Sequence, residues 1–304
     1  MAAALLACDW GTTNLRAWTL DAKGAVVAHR EFELGVSRLA PGEAARRFRT
    51  EVRPALEAQD LPAMLCGMVG STLGWTVAPY ADCPAGLPDL AARVMDVGDA
   101  AAPVRIAPGL RCQGLAGSPD VMRGEETQLL GWIAQQDDRS EGRQVVCHPG
   151  THAKWVLIEG GRIVRFVTAM TGELFAVLAR HSVLKSEGPS DDEAAFDEGV
   201  AAAGAGDALA ARLFTARARV VGGGRPPQST PSYLSGLLIG ADVAATPGLL
   251  GVAPGEPVAL LGDPVLCALY ARALTRRGVA CEIHDGEAAA RAGLFALHQL
   301  GAAQ

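Results

Sequence analysis

The sequence has 304 residues, 49% of them hydrophobic, and a net charge of −6, so it can bury a sizeable core and lacks the basic face that nucleic-acid binding needs. No apolar stretch approaches the length of a membrane span, and the opening Met1–Leu6 has no basic flank and soon meets Asp9, so neither a membrane anchor nor a secretory signal is expected. The seven cysteines (8, 66, 83, 112, 147, 267, 281) are scattered without a Cys-x-x-Cys pair, the pattern of a reduced, cytoplasmic chain with no disulfide frame or zinc site.

Ala3 to Cys8 reads as a buried strand that runs into Asp9-Trp10-Gly11-Thr12-Thr13-Asn14, and Leu15 to Leu20 as a second strand. A hairpin with such a turn can hold terminal phosphates: Gly11 lets the backbone approach, successive amides point at phosphate oxygens, and Thr12 and Thr13 add hydroxyls. Asp9 stands where a carboxylate could hold hydrated magnesium, although an ordinary hairpin with a polar turn has the same spelling. A third strand follows from Ala25 to Glu33, then a helix over Glu43–Gln59 that Pro54 should kink. Ala63 to Met68 is an apolar strand, Trp75 to Pro84 an irregular aromatic loop, and Arg105 to Ala107 a short strand.

Gly124 to Gln136 predicts a helix opening on Glu125-Glu126. Counting back by three and four from Leu129 and Leu130 puts Glu126 on the inward stripe, while Glu125 projects about 100° away, toward Gln128 and Trp132. The polar connector 137–143 is the expected domain boundary. Beyond it the opening order returns: strand Gln144–Cys147, turn His148-Pro149-Gly150-Thr151-His152, strand Lys154–Ile158, Gly turn, strand Ile163–Val167, a weak internal repeat. His148 and His152 flank a turn rather than sharing a helix, which favours structural or substrate roles over zinc. The rest is mostly helical, apart from strands at Val258–Leu261 and Val279–His284, and it closes with a helix over Gly286–Leu300. The turn at Gly262-Asp263 can meet an adenine ring or simply join a strand to a helix. Walker-type, dinucleotide and serine-elbow motifs are absent.

Taken together, Asp-Trp-Gly-Thr-Thr-Asn-Leu-Arg-Ala-Trp (9–18), Gly-Met-Val-Gly-Ser (67–71) and Gly-Trp-x-Val-Ala-Pro-Tyr (74–80) carry a resemblance, continued by Val-Met-Arg-Gly-Glu-Glu-Thr-Gln-Leu (121–129) and Pro-Gly-Thr-His-x-Lys-Trp-Val (149–156). Met-Thr-Gly-Glu-Leu (170–174) and Leu-Ser-Gly-Leu-Leu-Ile-Gly-Ala (234–241) complete it. The chain resembles the actin and hexokinase superfamily and, more narrowly, the 2-dehydro-3-deoxygalactonokinase family. That resemblance implies an α/β, two-lobed, ribonuclease-H-like (actin-like ATPase) fold, each lobe a mixed sheet flanked by helices. Residues 1–140 would form the sugar-acid lobe and 141–304 the adenosine lobe.

The resemblance further implies ATP-dependent phosphorylation of 2-dehydro-3-deoxy-D-galactonate at its 6-hydroxyl, with Mg2+ and with no nucleic-acid or membrane partner; a homodimer is compatible with it. Glu126 is the expected base for the hydroxyl, with Glu125 assisting the metal or capping the helix and Asp9 holding magnesium. Phosphates and nucleotide fall to Gly11, Thr12, Thr13, Gly150, Thr151, Lys154 and Gly262; the sugar acid falls to Asn14, Arg16, Ser71, Trp75, Arg123 and His152. Arg16, Arg123 and Lys154 are the candidate cations for the substrate carboxylate, and Lys154 suits a phosphate equally. One departure is the second turn, where Cys147-His148-Pro149 stands in place of the aspartate many superfamily members carry. A phosphohydrolase on the same fold and a non-enzymatic nucleotide-gated binding protein are the competing readings.

Overall fold

The computed structural model describes residues 2–98, 102–135, 142–185 and 191–302. β1 (Ala3–Trp10) and β2 (Leu15–Asp21) pair antiparallel with Asp9 opposite Arg16, and β3 (Val26–Phe32) extends the meander. The helix expected over 43–59 is interrupted: α1 (Glu43–Arg47) passes into a π turn, Phe48–Val52, and then into α2 (Arg53–Ala55). Pro54 has no N–H to continue the ladder, and the helix ends just beyond it. The buried Arg53 guanidinium then donates to the carbonyls of Ala58 (2.7 Å), Gln59 (3.0 Å) and Leu61 (2.8 Å).

β4 (Ala63–Cys66) runs parallel to β1, shorter than the sequence suggested because Met68–Gly70 turns as a 3-10 helix. Next come β5 (Tyr80–Asp82), α3 (Leu87–Ala91), β6 (Met95–Asp96), β7 (Val104–Ile106), β8 (Gly109–Gln113), β9 (Pro119–Met122) and α4 (Glu125–Ala134). The first sheet has the order β3-β2-β1-β4-β7-β6, and β5-β8-β9 form a small separate sheet. Most of the connector predicted at 137–143 lies outside the described residues.

The second half contains β10 (Arg143–His148), β11 (Ala153–Glu159), β12 (Arg162–Ala169), α5 (Thr171–His181) and α6 (Glu193–Ala202). It continues with α7 (Leu209–Leu213), α8 (Thr215–Val221), α9 (Thr230–Leu249), β13 (Val258–Gly262), α10 (Pro264–Arg276), β14 (Cys281–Asp285) and α11 (Gly286–Ala302). Its sheet has the order β12-β11-β10-β13-β14. Counted from the start of each half, both sheets thus read third, second, first, fourth, with a further parallel strand beyond. The repeated order is that of the ribonuclease-H-like, actin-like ATPase fold.

The chain divides into two compact units: Met1–Arg143 with Ile158–Arg165 and Gly286–Gln304, and Gln144–Leu157 with Phe166–Asp285. The chain leaves the first unit after Arg143 and returns to it twice, where a single division at 140/141 was expected. α11 belongs there through glycine: a Cβ on Gly131 of α4 would fall 2.1 Å from Ala289 O, and one on Gly293 would fall 2.0 Å from Thr127 O. The two helix backbones therefore touch directly, and any side chain at either position would force them apart. The first unit's core gathers Leu6, Trp10, Leu15, Phe48, Leu65 and Ile106; the second unit's gathers Val145, Trp155, Ile239, Leu260 and Tyr270. Among the described residues no helix is long and apolar enough to cross a membrane.

Candidate active site

In the first unit, the β1–β2 turn is held from behind. Gly11 N–H donates to Asn14 O (2.9 Å), and the carbonyls of Gly11, Thr12 and Thr13 accept from Val36 (3.1 Å), Ser37 (3.1 Å) and Gly35 (2.9 Å). Gly35 must be glycine, since a Cβ there would lie 2.2 Å from Thr12 O. With their carbonyls tied down, Thr12 and Thr13 stand exposed at the tip.

Asp9 lies at the end of β1, where Oδ2 accepts from Gln128 Nε2 (3.3 Å) and Oδ1 from the Cys66 thiol (3.8 Å). Burial pushes its carboxyl up to about 6; the charge of Glu125 adds to the rise and Arg16, its cross-strand neighbour, opposes it. Two glycines with positive φ bring α4 to this point. Gly67 has φ +90° and Gly124 φ +110°, and a Cβ on Gly124 would fall 3.1 Å from Gly67 Cα. The two glutamates then part company. Glu125 is half-buried, with Oε2 accepting from Arg123 N–H (3.1 Å). Glu126 is 0% exposed; its carboxyl accepts from Gly124 N–H (2.7 Å) and Thr127 Oγ1 (3.0 Å), and burial pushes it up to about 8. The inward face predicted for Glu126 is the core itself.

Arg123 donates through Nη2 to Ala78 O (2.8 Å) and lies 4.4 Å over the Tyr80 ring, while its Nε and Nη1 are buried with no hydrogen-bond partner. Ser71 Oγ donates to Met68 O (2.7 Å) and accepts from Leu73 N–H (3.2 Å), and Trp75 packs on Phe48. These two shape the loop.

In the second unit, the β10–β11 turn is clamped by the start of α5. A Cβ on Gly172 would fall 2.4 Å from Gly150 O, Glu173 N–H donates to Thr151 O (2.9 Å), and the Glu173 carboxylate pairs with His152. Beside the turn opens a cavity of about 940 Å³, lined by Gly150, Thr171, Phe175, Ser235, Leu269 and Tyr270 among others, a size that suits a nucleoside. Asp242 is buried behind its wall and accepts four hydrogen bonds, from Trp155 Nε1 (2.9 Å), Thr171 Oγ1 (2.8 Å), Thr246 Oγ1 (2.6 Å) and Tyr270 OH (2.6 Å).

Against known proteins, a sequence profile described as 2-keto-3-deoxy-galactonokinase matches residues 9–297. The chain belongs to the 2-keto-3-deoxy-galactonokinase family. A Rhizobium meliloti relative assigned as a 2-dehydro-3-deoxygalactonokinase is 38% identical over 300 residues, 95% of each chain. The 2-dehydro-3-deoxygalactonokinase of Escherichia coli is 36% identical over 296 residues, 97% of each. A crystal structure of a Sinorhizobium meliloti protein assigned the same activity superposes with a TM-score of 0.86 at 37% identity, covering 97% of this chain and 98% of that one. The activator of 2-hydroxyisocaproyl-CoA dehydratase from Clostridium difficile, solved with ADPNP, has a TM-score of 0.53 at 12% identity, over 99% of this chain and 96% of that one, and shares the fold alone.

Within this galactonokinase-family chain, the first unit brings together Asp9, Gly11, Thr12, Thr13 and Glu125 around one strand end. Asn14 and Arg16 are turned to acidic partners: Asn14 donates to Glu31 (3.2 Å), and Arg16 pairs with Glu31 (3.7 Å) and Glu287 (3.6 Å). Lys154 differs from expectation. It is only 4% exposed on β11, where it donates to Thr168 Oγ1 (3.0 Å), so its ammonium is part of the sheet's interior rather than an open phosphate contact. Gln128, Asp242, Thr171 and Tyr270 were not singled out in the sequence. Gln128 had a signal, three residues after Glu125 on the same helix face.

Proposed function

We propose that this chain transfers the terminal phosphoryl group of ATP to the 6-hydroxyl of 2-dehydro-3-deoxy-D-galactonate, a step in galactonate breakdown. The observation that carries the reading is the strand end where Asp9, Glu125 and Gln128 meet beside an exposed Gly-Thr-Thr turn. Glu125 replaces Glu126 as the base, because a general base must reach the proton it removes and Glu126 is sealed in the core. Glu125 takes the hydroxyl proton, O6 attacks the terminal phosphorus, and the bond to the bridging oxygen breaks to release ADP.

Asp9 is a donor that fits magnesium, which takes one or two carboxylates and keeps several waters. A buried carboxyl raised by burial and by a neighbouring anion is also the electrostatic situation a divalent cation relieves. When bound, the ion neutralises charge on the phosphates; Thr12 and Thr13 hold the phosphate oxygens in line. The buried, unpartnered Nε and Nη1 of Arg123 make it the cation for the sugar-acid carboxylate. The second unit's cavity takes the adenosine part. All seven cysteines are free thiols, which suits the reducing cytoplasm as the enzyme's place.

A coupled assay of ADP release tests this. ATP turnover should depend on a 2-keto-3-deoxy sugar acid and favour the galactonate epimer. Equal turnover without any acceptor would replace the kinase by a phosphohydrolase, and no turnover with any sugar acid would leave a binding protein.

A further inference from the structure

The walls of the second unit's cavity come mainly from α5, α6, α9 and α10. A helix backbone bonds internally and offers a ligand only the groups of its end turns. At the start of α10 the N–H groups of Val265 and Leu266 are already taken by Asp263 Oδ1 (3.0 and 2.9 Å). At the start of α5, Glu173 N–H goes to Thr151 O (2.9 Å) and Leu174 N–H to Met170 O (2.8 Å).

The polar side chains of the wall are spent on the protein in the same way. Thr171 and Tyr270 both donate to Asp242 (2.8 and 2.6 Å). Arg272 is bound on both edges of its guanidinium, by Asp197 (2.6 and 2.7 Å) and by Glu193 (2.7 Å). Asp192 Oδ1 caps α6 by accepting from Ala195 N–H (2.9 Å), and Ser232 Oγ accepts from Asp192 N–H (3.2 Å). Phe175, Phe196, Leu238, Ile239 and Leu269 present carbon to the space between. Ser235 adds a hydroxyl, which rotates to donate or to accept.

Such a wall can hold the faces of a purine but has little with which to read its edge. Adenine carries the N6 amino donor where guanine carries the O6 acceptor, so telling them apart needs a fixed partner at that point. A site built around such a partner rejects the wrong group strongly, whereas an apolar pocket does not. Arg180 and Asp191 stand exposed at the rim, where water competes for them, and the volume of about 940 Å³ leaves room for guanine's extra amino group. We propose, resting on the kinase reading given above, that the cavity holds a purine without selecting it, so that GTP serves as phosphoryl donor about as well as ATP. The transfer is otherwise the same: Glu125 takes the proton of the sugar acid's 6-hydroxyl, that oxygen bonds to the terminal phosphorus of GTP, the bond to the bridging oxygen breaks, and GDP leaves.

Calorimetric titration of the full chain with ADP and with GDP, beside initial rates with ATP and with GTP at saturating sugar acid, tests this. Dissociation constants and kcat/KM should agree between the two bases within about tenfold, the scale of a single hydrogen bond. A larger preference for either base would mean that a fixed group reads the edge, and would overturn the proposal. Ser235→Phe, which puts a ring into the cavity, should weaken ADP and GDP by the same factor, of about tenfold or more. Unchanged affinity for both, or a loss confined to one, would overturn it as well. The wild-type comparison needs no substitution and decides the matter if the variant folds poorly. Wild-type chain that binds neither nucleotide and transfers from neither would overturn the kinase reading itself.

Discussion

Gln128 Nε2 donates to Asp9 Oδ2 across 3.3 Å, joining the first helical turn of α4 to the end of β1. Residues three apart share a helix face, so the bond that draws Gln128 to Asp9 also carries Glu125 to that side. Glu126, one residue on and about 100° around, is turned into the core, where Gly124 N–H and Thr127 Oγ1 satisfy its carboxyl. The helix phase thus leaves Glu125 on the side of Asp9 and Glu126 in the core.

Glu125→Gln is therefore expected to lower kcat by about a hundredfold or more, in the range for general bases, while ADP affinity changes little. Glu126→Gln should keep kcat within a few-fold. Steady-state kinetics on both variants checks this; a silent Glu125→Gln beside a dead Glu126→Gln would return the base role to Glu126.

Glu126 should instead be felt in the pH dependence of stability. Its carboxyl sits near 8 in the folded chain, against an ordinary value of 4.5. Between those limits the folded state holds a proton that the unfolded state has lost, so stability falls as pH rises from about 5 to 8. Glu126→Gln cannot titrate, and its urea-unfolding free energy should fall by at least about 1 kcal/mol less over that interval than the wild type's. Parallel pH profiles for the two proteins would show that the buried carboxyl is not protonated at neutral pH.

Asp9 gives the complementary acid limb. With its carboxyl near 6, kcat/KM at low magnesium should drop as pH falls through that value, since the metal needs the ionised form. Arg16 opposes the rise, so Arg16→Ala should move the limb to higher pH. A limb that stays put in Arg16→Ala, or moves down, would mean that another group controls it.

The elements that proved legible were those with strong local signals. The strand over Leu15 to Leu20, the Asp-x-Gly-Thr-Thr turn and the strand–turn–strand order after Gln144 all reappear in the sheets. The burial of Glu126 was legible too; the phase was sound, but periodicity cannot tell a packed face from one that opens on a cleft. Lys154 escaped for a related reason: Ala153–Ile158 is buried on both faces of the sheet, so no alternation marks which side chains reach solvent. β5, β8 and β9 have three to five residues each, too few to show a period.

Asp242 supplies the last prediction. A lone carboxylate in the middle of apolar α9 is sustained only by its four donors, and two of them, Thr171 and Tyr270, also line the second unit's cavity. Burial and the adjacent Asp242 push the Tyr270 phenol well above its ordinary value, which keeps its proton available for donation. Thr171 starts α5, and the next two residues clamp the turn at Gly150 and Thr151, so Asp242 reaches the cavity and the turn only through its neighbours. In Asp242→Asn an amide N–H must face one of those pairs of donors, and a buried unsatisfied donor costs about 1–3 kcal/mol. The variant should unfold at correspondingly lower urea and bind ADP about tenfold more weakly where still folded. Tyr270→Phe removes one donor of four and should cost about 1 kcal/mol with a smaller change in ADP affinity. If Asp242→Asn melts earlier but binds ADP like the wild type, Asp242 secures the core of the second unit and has no part in shaping the cavity.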